Sequence, residues 1–226
     1  MLTGKQFKRA FISGANNILN HRKDVDALNV FPVPDGDTGT NMSMTSSAAV
    51  RELQVVSDDE DLSIVAAKTA AALLRGARGN SGVILSLVFR GVSNGFKGKK
   101  EVGGKDLAAA LTLGKESAYK AVMKPTEGTI LTVVRKAAAA AEALASDDCG
   151  AVLDEAYRAA QEALAETPEL LPVLKEAGVV DAGGQGFLYI LDGIRGYINE
   201  GKFIESNDDA SPAKSNAEES KSVVAA

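Results

Sequence analysis

With 226 residues, 45% hydrophobic but only 5% aromatic and without tryptophan, the chain can bury a core and favours helices over a β-sandwich. Its formal net charge of −5 excludes nucleic-acid binding as a main task, because phosphate backbones demand clustered Lys and Arg. The one cysteine, Cys149, excludes an internal disulfide framework and fits a reducing cytoplasm, and no apolar run reaches the ~18 residues of a membrane span.

Phe7, Phe11, Ile12, Ala15, Ile18 and Leu19 fall at helical spacing and predict a first helix over residues 5–20, with His21 as a surface residue at its end. Prolines 32 and 34 then interrupt the pattern, and a second helix is expected from about Asn41 to Leu53. Ser57 followed by Glu60 reads as a capping box that starts a third helix, running to about Leu74. Asn80 or Ser81 caps a fourth, which carries Val83, Ile84, Leu87, Val88 and Phe89. A fifth runs from Asp106 to near Met123, a sixth from about Thr129 to Ala145, and a seventh to near Glu166. Thr167 and Pro168 are expected to open a short helix ending at Ala177, and the last runs from about Phe187 to Ile198. No convincing strand is expected. Beyond Ile204 the composition turns to Ser, Asn, Asp, Glu, Ala and Lys, which divides the chain into a domain over 1–204 and a disordered linker or tail over 205–226.

The most informative stretch is residues 28–42, LNVFPVPDGDTGTNM. Four aspartates and no Lys or Arg lie between Asp24 and Val50, and two of them, Asp35 and Asp37, share a glycine-punctuated turn. Two carboxylates about 4 Å apart repel by roughly 4 kcal/mol at an effective dielectric near 20. No side chain nearby in sequence can offset that repulsion, and a bound metal ion can. Three further glycine turns also precede helices: Gly79-Asn80-Ser81-Gly82, Glu127-Gly128-Thr129 and Asp181-Ala182-Gly183-Gly184. Each could be an ordinary cap. Helices two, four, six and eight begin with these turns, so an up-down bundle gathers all four on one rim. A carboxylate-held metal beside several anion-binding helix N-termini suits a metal–phosphate ligand. Arg75 and Arg78 flank the Gly79 turn and either could reach a phosphate, whereas Lys124 is expected at the opposite end.

Competing motifs fail on residues. No G-x-x-x-x-G-K-[ST] string exists, an EF-hand from Asp35 lacks its Gly and Glu, and Gly183-Gly184-Gln185-Gly186 lacks dinucleotide-fold spacing and a preceding strand. With His21 as the one histidine, neither a multi-His metal site nor a Ser-His-Asp triad is attractive.

LNVFPVPDGDTGTNM, GARGNSGVILS, KPTEGTILTV and GVVDAGGQG together resemble the nucleotide-binding domain shared by the L subunit of dihydroxyacetone kinase and the large subunit of bacterial fatty acid kinase, the second more closely. The resemblance covers about residues 5–204 and implies an all-α, eight-helix antiparallel up-down barrel (DhaL-like) with ATP or ADP at one end and phosphates on two Mg²⁺ ions. It implies metal ligation and catalysis by Asp35 and Asp37, with Asn29 where the dihydroxyacetone kinase pattern has a further aspartate. Thr38, Thr40 and Asn41 would lie beside metals and phosphates, and Gly79, Asn80, Ser81 and Gly82 would bind phosphate. Thr129, Asp181, Ala182 and Gly183 would face ribose and base. The implied activity is an ATP-dependent kinase with a carboxylate acceptor. It would phosphorylate a fatty acid presented by a separate fatty-acid-binding small subunit and yield an acyl phosphate for phospholipid synthesis. The remaining domains of the large subunit would be further partners, and this domain alone is expected to be weak or inactive. The alternatives are a dihydroxyacetone kinase L subunit and a nucleotide-binding module without turnover.

Overall fold

Thr3 and Gln6 open the first helix with a reciprocal capping box: Thr3 Oγ1 accepts from the Gln6 N–H, and Gln6 Oε1 accepts from the Thr3 N–H at 3.0 Å. The computed structural model describes residues 1–207, whose regular elements are helices apart from one small ribbon. In chain order they form β1 (Leu2–Thr3), α1 (Gly4–Asn20), α2 (Arg22–Ala27), α3 (Thr38–Gln54), α4 (Leu62–Arg75), α5 (Gly79–Gly95) and β2 (Glu101–Val102). They continue with α6 (Gly104–Ala121), α7 (Ile130–Leu144), α8 (Cys149–Leu170), α9 (Pro172–Ala177) and α10 (Ala182–Glu200).

The eight long helices α1, α3, α4, α5, α6, α7, α8 and α10 each pack on the next in chain order, and α10 closes the ring on α1. Successive members run in opposite directions. At one end Gly4 abuts the backbone of Glu60 and Leu62, Gly104 abuts Ser146 and Asp148, and β1 pairs antiparallel with β2, Leu2 opposite Val102. The N-termini of α1, α4, α6 and α8 therefore share that end. Those of α3, α5, α7 and α10 share the other, as the helix alternation predicts.

Inside the ring Phe7 meets Phe96 and Phe11 meets Phe89 edge to face, at centroid distances of 6.0 and 5.1 Å, among buried Ile18, Met42, Leu85 and Ile190. Where α1 crosses α10, a Cβ on Gly193 would stand 2.6 Å from the Gly14 Cα, so only glycine lets the two backbones approach that closely.

Several boundaries move from their expected places, each for a physical reason. The second long helix starts at Thr38 rather than Asn41, and the short α2 precedes it. Ser57 Oγ accepts only from the Asp59 N–H, and α4 starts at Leu62 because the carbonyls of Lys100 and Lys99 take the Leu62 and Ser63 N–H groups, both at 3.0 Å. A tertiary cap replaces the local one. Asp58 instead pairs with Lys8 at 2.7 Å and Lys5 at 3.3 Å, the Lys8 bond first in pulling its carboxyl below the usual value. Thr167 and Pro168 do not open a helix; α8 runs through them to Leu170. Pro168 lacks the N–H that would reach Leu164, and the Thr167 Oγ1 donates to that carbonyl at 2.7 Å instead. Pro172 takes the first position of the short helix, and the last helix begins at Ala182, five residues before Phe187. Most of the expected tail, residues 208–226, lies outside the described residues.

Candidate functional site

Side-chain contacts join the four glycine turns into one rim. A Cβ on Gly79 would stand 2.4 Å from Asn41 Nδ2, one on Gly186 would stand 2.5 Å from the Met42 sulfur, and one on Gly183 would stand 3.3 Å from the Ile130 Cβ. These contacts run from α5 to α3, from α3 to α10, and from α10 to α7. Thr38, Thr40, Asn41, Gly79, Asn80, Ser81 and Gly82 thus gather around the α3–α5 side, and Thr129, Asp181, Ala182 and Gly183 around the α7–α10 side. Lys124, expected at the far end, is exposed on the loop that enters α7 and so stands on the rim. The expectation erred because a loop preceding a helix lies at that helix's N-terminal end.

The acidic turn is built around Gly36, whose φ of 68° suits glycine, with Asp35 exposed and Asp37 half-buried. Among the described residues neither carboxylate has an ion-pair partner. Asn29 is buried behind the turn: its Oδ1 accepts from Thr38 Oγ1, and its Nδ2 donates to the Val33 carbonyl at 2.6 Å. Both ends of the Asn29 amide therefore brace the turn. Asp26, which the sequence pattern did not single out, accepts from the Thr40 N–H at 2.8 Å and the Thr40 Oγ1 at 2.7 Å, and so caps α3 from 14 residues away. It shares the same run without Lys or Arg as Asp35 and Asp37, and that was its one visible signal.

The α5 entry differs from its three counterparts. Thr45 Oγ1 donates to the Asn41 carbonyl at 2.7 Å and accepts from the Arg78 N–H at 3.1 Å, which ties the incoming loop to α3. Thr45 looks like any interior helix residue in the sequence, so this role could not be read there. Gly79 follows with φ of 59°, and no side chain caps the helix it opens. The N–H groups of Gly79, Asn80 and Ser81 have no acceptor among the described residues. Arg78 is exposed, with no ion pair or side-chain hydrogen bond among the described residues, whereas Arg75 is held by Glu52 at 3.0 Å. Of the two arginines, Arg78 stays available to an anion.

On the other side of the rim the chain supplies its own anion. The Asp181 carboxylate accepts from the Gly184 N–H at 2.8 Å and from the Ile130 N–H, so it caps α10 and α7 together. Burial pushes its carboxyl up to about 6, against the lowering pull of those two N–H groups. Thr129 adds a cap on the Leu131 N–H at 3.4 Å. Just upstream, Glu127 accepts from Thr132 at 2.6 Å, Arg135 at 2.7 Å and Tyr119 at 3.0 Å. Burial raises the Glu127 carboxyl, but these three donors outweigh it and hold it below the usual value. The network fixes the loop that carries Lys124.

Among the described residues, α5 alone of the four rim helices lacks a carboxylate or hydroxyl cap. The rim thus offers free N–H donors and Arg78 beside two carboxylates without a cation. Those carboxylates suit Mg²⁺ in donor chemistry, being all oxygen. Among the described residues no three carboxylate, imidazole or thiolate groups converge on a metal position. No helix among the described residues is long and apolar enough to cross a membrane.

Comparison with known proteins places this geometry in a family. Protein YloV of Bacillus subtilis is 50% identical over 194 residues, covering 85% of this chain and 35% of its own length. An uncharacterized protein of Staphylococcus haemolyticus is 46% identical over the same span and shares. The chain thus spans about a third of the length of the curated relatives it matches. Among solved structures, the dihydroxyacetone kinase from C. freundii in complex with AMP-PNP and Mg²⁺ is similar with a TM-score of 0.64 at 19% identity, covering 84% of this chain and 33% of that one. The native form of that kinase gives 0.59 at 21% identity. At such identities the likeness is one of fold, and it supports the all-α barrel. Residues 32–196 match the DAK2 domain, a span that holds all four rim turns, and the chain belongs to the DAK2 domain family.

Proposed function

We propose that this domain holds ATP and Mg²⁺ at the rim where α3, α5, α7 and α10 begin, and supports phosphoryl transfer to a carboxylate acceptor. The observation that carries the reading is the pairing of two carboxylates lacking a cation with the one rim helix lacking an acidic cap. Bound Mg²⁺ would neutralise phosphate charge and hold the leaving oxygens. Asp35 and Asp37 would be ligands of two such ions, while Asn29 and Asp26 keep the turn and the α3 entry in place. Asn29 retains a lone pair on Oδ1 and is the candidate for a further ligand. The N–H groups of Gly79, Asn80 and Ser81 and the Arg78 guanidinium receive phosphate oxygens, and Gly82 lets α5 lie against Thr45. Thr38, Thr40 and Asn41 line the space between metal and phosphate. Asp181, Thr129, Ala182 and Gly183 shape the side that receives ribose and base.

In the transfer, an acceptor carboxylate oxygen bonds to the γ-phosphorus as the bond to the bridging oxygen breaks, and ADP leaves. A fatty acid is ionised at neutral pH, so the step needs no general base, in keeping with a rim whose motifs contain no histidine. This reading makes the chain part of a fatty acid kinase, acting on an acyl group delivered by a separate binding protein and needing the rest of a longer large subunit for full turnover. Its setting would be the cytoplasm. The second reading, dihydroxyacetone as acceptor, is favoured by the fold of the two similar solved structures. Incubation with ATP, Mg²⁺ and an acyl-loaded fatty-acid-binding partner separates them. Acyl phosphate supports the first reading, product formed only from dihydroxyacetone with its sugar-binding subunit supports the second, and nucleotide binding without either product leaves a binding module.

A further inference from the structure

The entry into α5 is moulded on α3. A Cβ on Gly76 would press on the Ala48 Cβ, one on Gly79 on the Asn41 amide, and one on Gly82 on the Thr45 hydroxyl. Asn41, Thr45 and Ala48 follow the helical spacing of four and three, so they form one stripe of α3. The three contacts spread over about 10 Å of helix at the usual rise per residue. Packing of small residues brings the loop close, but it has little directional preference along the stripe. A hydrogen bond supplies the direction.

That bond belongs to Thr45, whose hydroxyl is committed on both sides. Its proton goes to the Asn41 carbonyl at 2.7 Å, and this donation turns a lone pair toward the loop, where it accepts the Arg78 N–H at 3.1 Å. The side chain is buried, so water does not compete for either bond. Thr69 makes the same kind of back-bond inside α4, to the Val65 carbonyl at 2.8 Å, and among the described residues its hydroxyl accepts nothing. The Arg78 carbonyl in turn takes the Gly82 N–H at 3.0 Å, which closes the first turn of α5. The polar register of the α5 entry on α3 therefore passes through one oxygen atom.

The other half of the rim stands at the head of the same helix. Asp37 is the N-cap residue of α3 and Asp35 lies two residues before it, with Asn29 and Asp26 bracing that head. One helix thus bears the two carboxylates at its start and the open N–H groups of α5 along its flank. We propose that Thr45 is a positioning residue, whose hydroxyl holds the Gly79, Asn80 and Ser81 N–H groups at a fixed distance from Asp35 and Asp37, so that a metal-bound polyphosphate meets both together. The proposal rests on the nucleotide reading above. Thr45 acts only through the loop it ties.

Hydrogen exchange at the Arg78 and Gly82 amides reads the tie in the 226-residue chain without any ligand, and calorimetric titration with ATP and Mg²⁺ reads its consequence. In Thr45→Val both amides are expected to exchange about tenfold faster. Affinity for ATP with Mg²⁺ is expected to fall about tenfold. Thr45→Ser, which keeps the hydroxyl, restores both. Thr45→Ala carries the same expectation as Thr45→Val and covers the case that the extra methyl does not fit beside Gly82. Thr69→Val removes a buried hydroxyl away from the loop and leaves the affinity unchanged. Far-UV circular dichroism checks that each variant is folded. Unchanged exchange in folded Thr45→Val and Thr45→Ala, or faster exchange with wild-type affinity, would overturn the proposal alone. A wild type that binds no ATP with Mg²⁺ would overturn the nucleotide reading and the proposal with it.

Discussion

Asp181 shows how one side chain carries an energetic signature as well as a role. Its carboxylate is buried against two helix N-termini with no cation, and its folded value is raised to about 6 from an ordinary 3.8. A raised value means that the folded state binds the proton more tightly than the unfolded state does. The associated stability is fully present below the ordinary value and is lost as pH rises through about 6. The rise from 3.8 to about 6 corresponds to about 3 kcal/mol. Denaturant unfolding of the wild type and Asp181→Asn from pH 7 to pH 4 is expected to show the wild type gaining on the variant by an amount of that order. A difference flat across the range contradicts it. At the same scale, Arg78→Ala is expected to weaken nucleotide binding about tenfold, by loss of one charge-assisted contact worth about 1.5 kcal/mol. Arg75→Ala is expected to leave it unchanged, because Arg75 is already paired with Glu52. Calorimetric titration of both variants with ATP and Mg²⁺ decides between them.

At the scale of elements, the α5 entry couples packing to the site. Gly79 adopts a left-handed backbone, and a Cβ there would press on Asn41. Gly79→Ala is expected to cost about 1–2 kcal/mol from the backbone alone and to push Asn41 from the rim. Both the melting temperature and the nucleotide affinity should fall, whereas a loss of affinity at unchanged melting temperature would mean the turn is not strained by a side chain. Elements also show what a sequence can and cannot reveal. The long helices were legible because Phe7, Phe11 and Ile18, or Val83, Leu87 and Val88, repeat at helical spacing. Their ends were less so. Pro168 reads as a helix start until Thr167 is seen satisfying the carbonyl that proline leaves free. Ser57 and Glu60 read as a capping box until residues 99 and 100 are seen to cap α4 from a distant loop. Gly183, Gly184 and Gly186 read as a turn ahead of the last helix, yet they are buried contact points of α10 on α7, α8 and α3. In the last two cases the deciding partner is remote in sequence.

For the whole molecule, the alternation of eight long helices sorts the chain's chemistry by end. Thr3, Asp148 and backbone carbonyls cap the helices at one end, and the four glycine turns occupy the other. Gathering those turns on one rim was legible from helix alternation alone. The division of labour within the rim was not, because it depends on Asp26 and Asp181 filling three of the four N-termini with the chain's own carboxylates. What remains open to an external anion is the α5 entry, next to the pair of carboxylates that lack a cation. A nucleotide carried with Mg²⁺ matches both halves of that arrangement, and neither half alone selects it. Calorimetric titration of the wild type and Asp37→Ala with ATP, with Mg²⁺ and with a chelator, tests this pairing most directly. The account predicts saturable wild-type binding that the chelator abolishes, and at least a hundredfold weaker binding by a folded Asp37→Ala, a difference of about 2.7 kcal/mol. Wild-type binding indifferent to the chelator, or a folded Asp37→Ala that binds ATP and Mg²⁺ as tightly as the wild type, would contradict it.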